Sequence, residues 1–162
     1  MDLEEYSEEE LLEAGRDAIK RDQWPRALTF LSAYFNRYNA RGETVPASGL
    51  ATYALCLGHS RELSRGLELC KRAQNADPRN AHIYWCLAQL HLLDGSRKDA
   101  IEAVDRGLRA VPDNFMLLRM RKKLGVRQPP PLPFLDRKHG LNVKLGRLMH
   151  RFKGHPAVML PA

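Results

Sequence analysis

Apolar side chains recur at the spacing of a helix face in three separate stretches of the chain. The clearest are Leu12–Ile19, Leu50–Leu57 and Tyr84–Leu93, where apolar residues return every three or four positions. Residues that favour turns follow two of these stretches, at 59–60 and at Gly95, where a first helix would reverse into a second. The pattern therefore predicts helices that are paired as hairpins.

The hairpins repeat with a fixed period. Pro78 and Pro112 lie 34 residues apart in similar contexts, and each predicts a helix end because proline cannot continue a helix. Placing each proline at position 32 of a unit defines repeats at 47–80 and 81–114, and a third copy fits residues 8–41. One hairpin cannot bury its own apolar face, so about three stacked units are the minimum for a stable array.

Residue size follows the same register in all three units. Small residues stand at positions 8 and 20, where two paired helices would approach closely, and larger apolar residues stand at positions 4 and 24, where gaps would remain. These residues are Gly15, Ala54 and Ala88 at position 8; Ala27, Gly66 and Ala100 at position 20; Leu11, Leu50 and Tyr84 at position 4; and Leu31, Cys70 and Val104 at position 24.

This arrangement resembles the tetratricopeptide repeat (TPR) family, whose units carry bulky residues at positions 4, 7, 11 and 24, small ones at 8, 20 and 27, and proline at 32. The first unit departs from that signature with Tyr34 at a small position and Asn39 in place of the proline, and His91 at position 11 of the third unit is irregular. The resemblance implies an all-α superhelix, or solenoid, of three hairpins with a capping helix at 115–124. The alternative is a generic helical bundle.

The resemblance also implies a concave groove, lined by the first helix of each hairpin, that holds a peptide or helix of a partner protein. Trp85 is the residue we single out, because buried aromatic side chains often anchor interfaces; the alternative is that it packs against a neighbouring helix or the tail. The predicted groove residues are Leu12, Arg16, Ile19, Ala51, Thr52, Leu55, His59, His82, Trp85, Gln89 and Leu92.

Some members of the family grip a partner's terminal carboxylate with Lys, Asn and Arg at defined groove positions. Here those positions hold Leu12, Arg16, Thr52, His82 and Cys86. Only Arg16 supplies the expected kind of charge. The sequence therefore argues against an adaptor for heat-shock chaperone tails.

Charge divides unevenly along the chain, whose net charge is +7. Residues 1–114 hold 15 Lys and Arg against 18 Asp and Glu, whereas residues 115–162 hold 11 basic residues against Asp136 alone. Such asymmetry suggests contact between the C-terminal part and something acidic, which could be a protein, a lipid surface or nucleic acid. Nucleic acid ranks last because no known binding module is present and basic charge alone gives only non-specific binding.

Beyond an N-terminal segment at 1–7 and the solenoid at 8–124, we predict a proline-rich linker at 125–137 and a basic amphipathic tail at 138–162. The linker favours an extended polyproline II conformation. It could be a rigid spacer, fold back on the helices, or be recognised by an external module through its R-x-x-P-x-x-P motif. The tail could dock on the solenoid or lie on an acidic membrane or protein. The predicted contact residues are Pro130, Leu132, Pro133, Phe134, Lys144, Leu145, Arg147, Leu148, Arg151 and Phe152.

The sequence offers no reason to propose a reaction. It contains no phosphate-binding glycine loop, nucleophile elbow or zinc-protease motif, and its six histidines show no metal-ligand spacing. Cys56, Cys70 and Cys86 are odd in number and lack CxxC spacing, which predicts buried thiols in a reducing compartment. We therefore expect no cofactor and no bound metal.

These observations favour a non-catalytic scaffold or adaptor that binds a partner peptide or helix, and a small chaperone for a secretion or assembly substrate is a sharper form of it. The alternative is a peripheral membrane assembly factor that acts through the basic tail. No apolar run of about 18 residues is present, and the acidic N-terminus lacks the plan of a signal peptide. The expected location is therefore cytoplasmic, with possible attachment at a membrane surface.

Overall fold

A computed structural model describes residues 3–125, and over that range the chain forms seven helices and no strand. Consecutive helices pair into hairpin 1 (α1–α2), hairpin 2 (α3–α4) and hairpin 3 (α5–α6), and α7 packs against α5 and α6. The predicted three hairpins and capping helix are confirmed. The helices are α1 Glu8–Lys20, α2 Trp24–Ala40, α3 Ala47–His59, α4 Leu63–Ala76, α5 Ala81–Leu93, α6 Arg97–Ala110 and α7 Phe115–Leu124.

Local sequence signals explain where several of these helices begin and end. The Ser7 hydroxyl accepts a hydrogen bond from the Glu10 backbone N–H at 3.2 Å, and the Glu10 carboxylate accepts one from the Ser7 N–H at 2.7 Å. This reciprocal capping box satisfies two donors that the helix start would otherwise leave open. Helices α4 and α6 end two residues before Pro78 and Pro112. Proline has no backbone N–H to donate to a helix, and it disfavours the helical conformation in the residue before it.

The small residues at positions 8 and 20 are required where paired helices cross. A Cβ atom on Gly15 would lie 2.6 Å from Cγ of Leu31, and one on Gly66 would lie 2.6 Å from the Ala54 carbonyl oxygen. The contact at Gly66 is the stricter of the two, because a backbone oxygen cannot move aside as a side chain can. Each glycine therefore sets how closely its two helices approach.

The irregular first unit is accommodated by its neighbour. Tyr34, which replaces a small residue, is 2% exposed, and its ring lies against the backbone of Gly49 in α3. A Cβ on Gly49 would fall 2.5 Å from the Tyr34 hydroxyl oxygen. A large residue on hairpin 1 is thus matched by a missing side chain on hairpin 2.

The core runs continuously through the stacked hairpins. Helix α3 contacts α2, α4 and α5, and every residue from 49 to 57 is buried. Cys56, Cys70 and Cys86 are free and fully buried in this core. Burial raises the pKa of Cys56 and of Cys70 to about 12, because a thiolate is poorly solvated in an apolar surrounding. These thiols are packing residues, as their spacing predicted.

Candidate partner-binding groove

The first helices of the three hairpins, α1, α3 and α5, carry all the predicted groove residues. The structure divides these residues into two groups by exposure. Ala51, Thr52 and Leu55 on α3 are at most 1% exposed, so they offer a partner almost no surface. Their predicted role as direct contacts is corrected accordingly: they pack beneath the groove. Ile19 is also buried. The partly exposed group is Leu12, Arg16, His59, His82, Trp85, Gln89 and Leu92.

We call the side of the solenoid that carries the predicted groove residues of α1, α3 and α5 the inner face. A polar cluster joins α3 to α5 within it. The Thr52 hydroxyl donates to the Ser48 carbonyl oxygen at 2.8 Å and lies 2.9 Å from Nε2 of His82. Since the one hydroxyl proton of Thr52 is used on that carbonyl, Nε2 of His82 must carry a proton and donate to Thr52. The Cys86 sulfur lies 3.4 Å from the same nitrogen. The structure thus brings together three positions at which a carboxylate-binding TPR groove would carry polar or charged ligating groups.

This cluster is electrically neutral. Burial and, to a smaller extent, the charge of Arg16 together lower the pKa of His82 to about 4, because both effects disfavour the imidazolium form. Burial also raises the pKa of the Cys86 thiol well above its ordinary value. Near pH 7 neither group contributes charge to the inner face.

Arg16 supplies the positive charge that the cluster lacks. Its positive charge lowers the pKa of His82 and of Cys86, so its field reaches the cluster. Within residues 3–125 the Arg16 side chain forms no hydrogen bond and no ion pair. A partly buried cation without a counter-ion can receive a negative or carbonyl group from a partner.

Aromatic contacts distinguish the two tryptophans of the chain. The Trp85 ring stacks on His82 with centroids 5.9 Å apart and planes 18° apart, and it stays partly exposed. His59 instead stacks on Trp24 at 3.4 Å and 6°, so this predicted groove residue is held by a contact with hairpin 1. Trp24 is not among the predicted groove residues because it lies in the first turn of a second helix, outside the positions assigned to the groove.

The remaining predicted contacts fall outside the described residues. The predicted linker and tail residues, Pro130 to Phe152, all lie beyond residue 125. Within the described part of the chain, no set of three or more His, Cys, Asp and Glu side chains could hold a metal ion. No helix there combines the length and apolar character needed to cross a bilayer.

Comparison with known proteins adds information through structure only. No family model matches the chain, and no curated protein sequence matches it. The fold is similar to that of the Arabidopsis OM64 TPR domain, at 20% identity and a TM-score of 0.56, covering 73% of this chain and 93% of that one. It is also similar to the Sgt2 TPR domain from Aspergillus fumigatus, at 15% identity and a TM-score of 0.57, covering 95% and 88%.

A third solved structure is the first TPR of Spaghetti (RPAP3) bound to the HSP90 peptide SRMEEVD. It matches at 15% identity and a TM-score of 0.53, covering 70% of this chain and 89% of that one. The chain has the tetratricopeptide repeat fold. Within this TPR solenoid, Arg16, Trp85 and the partly exposed Leu12, Gln89 and Leu92 make up the candidate groove.

Proposed function

We propose that this TPR chain is a non-catalytic interaction module that holds an apolar helix or peptide of another protein in its inner-face groove. The observation that carries the proposal is the partly exposed Trp85 on α5, with Leu92 and Gln89 on the same helix. Tryptophan in a partly desolvated concave site supplies a large contact area at little cost in side-chain entropy, which is why it often anchors interfaces.

The charge of the groove favours an apolar guest over an acidic one. Within residues 3–125 Arg16 is an unpaired cation of the groove, while the Thr52–His82–Cys86 cluster is neutral and hydrogen-bonded internally. The Spaghetti (RPAP3) domain is bound to a peptide that ends Glu-Glu-Val-Asp. The described part of the groove, with Arg16 as its unpaired cation, offers such a sequence few charge-assisted hydrogen bonds. We therefore propose that apolar side chains supply most of the affinity and that Arg16 orients the guest.

The two tryptophans allow a direct test. A Trp24→Phe variant leaves Trp85 as the chain's sole tryptophan, so its fluorescence reports the groove. Two probes are titrated: a neutral amphipathic helical peptide of Leu, Ala and Gln, and the acidic peptide SRMEEVD. We expect a saturable blue shift with the neutral helix and little change with SRMEEVD. Tighter binding of SRMEEVD than of the neutral helix would overturn the assignment of guest chemistry.

A second measurement tests Trp85 as an anchor. Replacing it in Trp85→Ala should weaken capture of the neutral helix, or of a native partner, by about 2 kcal/mol. The matched control is Phe115→Ala, which removes an aromatic side chain that is 75% exposed on α7, a helix that carries none of the predicted groove residues. Loss of helicity on mild heating in Trp85→Ala alone would instead make Trp85 a core residue and remove the support for the groove.

The sharper form of the proposal is a small chaperone that shields a secretion or assembly substrate. It requires that the guest aggregate when the groove is absent. Light scattering of the purified guest, with and without the full chain, separates this role from that of a simple adaptor.

A further inference from the structure

A cavity of about 430 Å³, open to solvent along one side, lies between α4, α5 and α6, on the side of α5 that faces away from the groove. His91 of this cavity follows His82 of the groove by about two and a half helical turns, so the two side chains leave α5 in opposite directions. The cavity is therefore separate from the site proposed above. Its volume falls in the range of ligand-binding clefts, about 300–1,000 Å³.

Two of the residues that line this cavity each carry a buried polar atom without a hydrogen-bond partner in residues 3–125. Nε2 of Gln74 and Nδ1 of His91 form no hydrogen bond within the part of the chain that the structure describes, and Gln74 is only 6% exposed. A buried donor or acceptor without a partner destabilises a folded protein, because it loses its hydrogen bonds to water and forms none in the protein. The contribution of such residues to folding stability does not explain their presence, which is typical of functional sites.

The repeat itself shows what usually fills this place. Gln74 stands at position 28 of the second unit, and the first unit has Phe35 there; His91 stands at position 11 of the third unit, and the second has Leu57. At the earlier junction Phe35 stacks on Tyr53 with ring centroids 4.8 Å apart. The same corner of the fold is therefore closed by apolar packing between hairpins 1 and 2, and it is open and polar between hairpins 2 and 3.

Charges of both signs line the open corner. Lys71 of α4 and Arg106 of α6 face the cavity together with Asp99 and Glu102 of α6, and none of the four forms an ion pair within residues 3–125. Two cations balanced by two carboxylates do not suit a phosphate or a bare metal ion, since each would meet as much repulsion as attraction. They suit a ligand that itself carries both charges.

We propose that this cavity is a second peptide-binding site, for a short segment of a partner protein that bears an acidic and a basic side chain. The primary amide of Gln74 matches a main-chain peptide group, because each offers one N–H side and one C=O side. His91 gives or receives a second hydrogen bond, according to its tautomer. Lys71 and Arg106 then pair with the acidic side chain, and Asp99 and Glu102 with the basic one.

The test uses the ¹⁵N-labelled full chain and three probes, followed by nuclear magnetic resonance. The probes are the blocked tetrapeptide acetyl-Glu-Gly-Gly-Lys-amide, acetyl-tetraglycine-amide and sodium phosphate. We expect saturable shifts at the Gln74 side-chain amide with the charged tetrapeptide, at a Kd on the order of 1 mM. We expect about tenfold weaker binding of tetraglycine and no saturable shift with phosphate.

Two variants make the result decisive. Gln74→Leu/His91→Leu copies the apolar chemistry of the first junction, and should weaken the tetrapeptide by about tenfold or more while raising the thermal midpoint. Arg106→Gln, which changes an exposed side chain, should weaken the tetrapeptide with the midpoint unchanged.

Three binding results would overturn the proposal: no saturable shift with the charged tetrapeptide, equal binding by the double variant, or phosphate binding at the same amides. A lower midpoint in the double variant would also overturn it, since Gln74 and His91 would then be structural. Because neither variant touches the inner face, binding of the neutral helix to Trp85 should be unchanged in both, which keeps this test independent of the groove.

Discussion

The junction between hairpins 1 and 2 and the junction between hairpins 2 and 3 use the same repeat positions but differ in chemistry. The first is closed by the stacked rings of Phe35 and Tyr53 with Leu57 buried nearby. The second places Gln74 and His91 at the corresponding positions and leaves a cavity of about 430 Å³. On its inner side, however, the second junction has a satisfied polar contact, Thr52 with His82.

The difference shows that a TPR junction tolerates polar residues in two ways. A polar pair that hydrogen-bonds across the helices can be buried at small net cost, whereas an unpartnered pair lowers the stability of the stack. The array can bear that loss because each hairpin also gains from its other contacts. Four predictions test this comparison.

The largest effect is expected from opening the closed junction. Tyr53→Ala removes a ring that is 6% exposed, and should lower the free energy of unfolding by about 3–5 kcal/mol through lost burial and a new cavity. Urea denaturation followed by circular dichroism measures it. The substitution Leu87→Ala, at the same repeat position of the open junction, should cost less per buried atom removed; an equal cost per atom would mean that the two junctions are packed alike.

Making the closed junction polar should have the next largest effect. Leu57→His places at position 11 of the second unit the residue that the third unit carries there. Leu57 is 2% exposed, so the new imidazole would be buried without a partner at a cost of about 3 kcal/mol. Thermal unfolding provides the measurement, with Leu57→Met as the volume-matched control; a midpoint equal to that of the control would contradict our view of this corner.

The satisfied polar contact predicts a pH dependence. His82 has a pKa of about 4 in the folded chain and 6.5 as its ordinary value, so the unfolded chain binds the proton more readily. Stability should be full above about pH 6.5 and fall by about 2–3 kcal/mol as the pH approaches 4. His82→Gln should flatten the profile between pH 6.5 and 5, leaving a smaller slope from His59, whose pKa burial also lowers. An unchanged slope would show that another group titrates.

The smallest effect is a gain. Gln74→Leu alone replaces an unpartnered buried amide by an apolar side chain of similar size, and should raise the free energy of unfolding by about 1 kcal/mol. The exposed neighbour Asn75→Leu serves as the control and should change stability little. Loss of stability in Gln74→Leu would mean that the amide has a structural partner.

The sequence by itself determined the stacking of this protein. Pro78 and Pro112 set the period. The small residues at positions 8 and 20 include Gly15 and Gly66, where atoms of the paired helix leave no room for a Cβ atom. These features were predictable because they depend on local rules, namely which residues end a helix and which allow two helices to touch. The capping box at Ser7 and Glu10 was predictable for the same reason.

Only the tertiary structure decided which residues of each helix stay accessible. A helical period assigns a side chain to a face, but it does not say how closely the next hairpin approaches that face. For this reason Ala51, Thr52 and Leu55 were placed on the groove and proved to be buried, and the neutrality of His82 could not be seen before its burial beside Arg16 was known. The open corner at Gln74 and His91 could not be predicted for the same reason. Three helices together form this cavity, and the helical period of each one alone does not predict it.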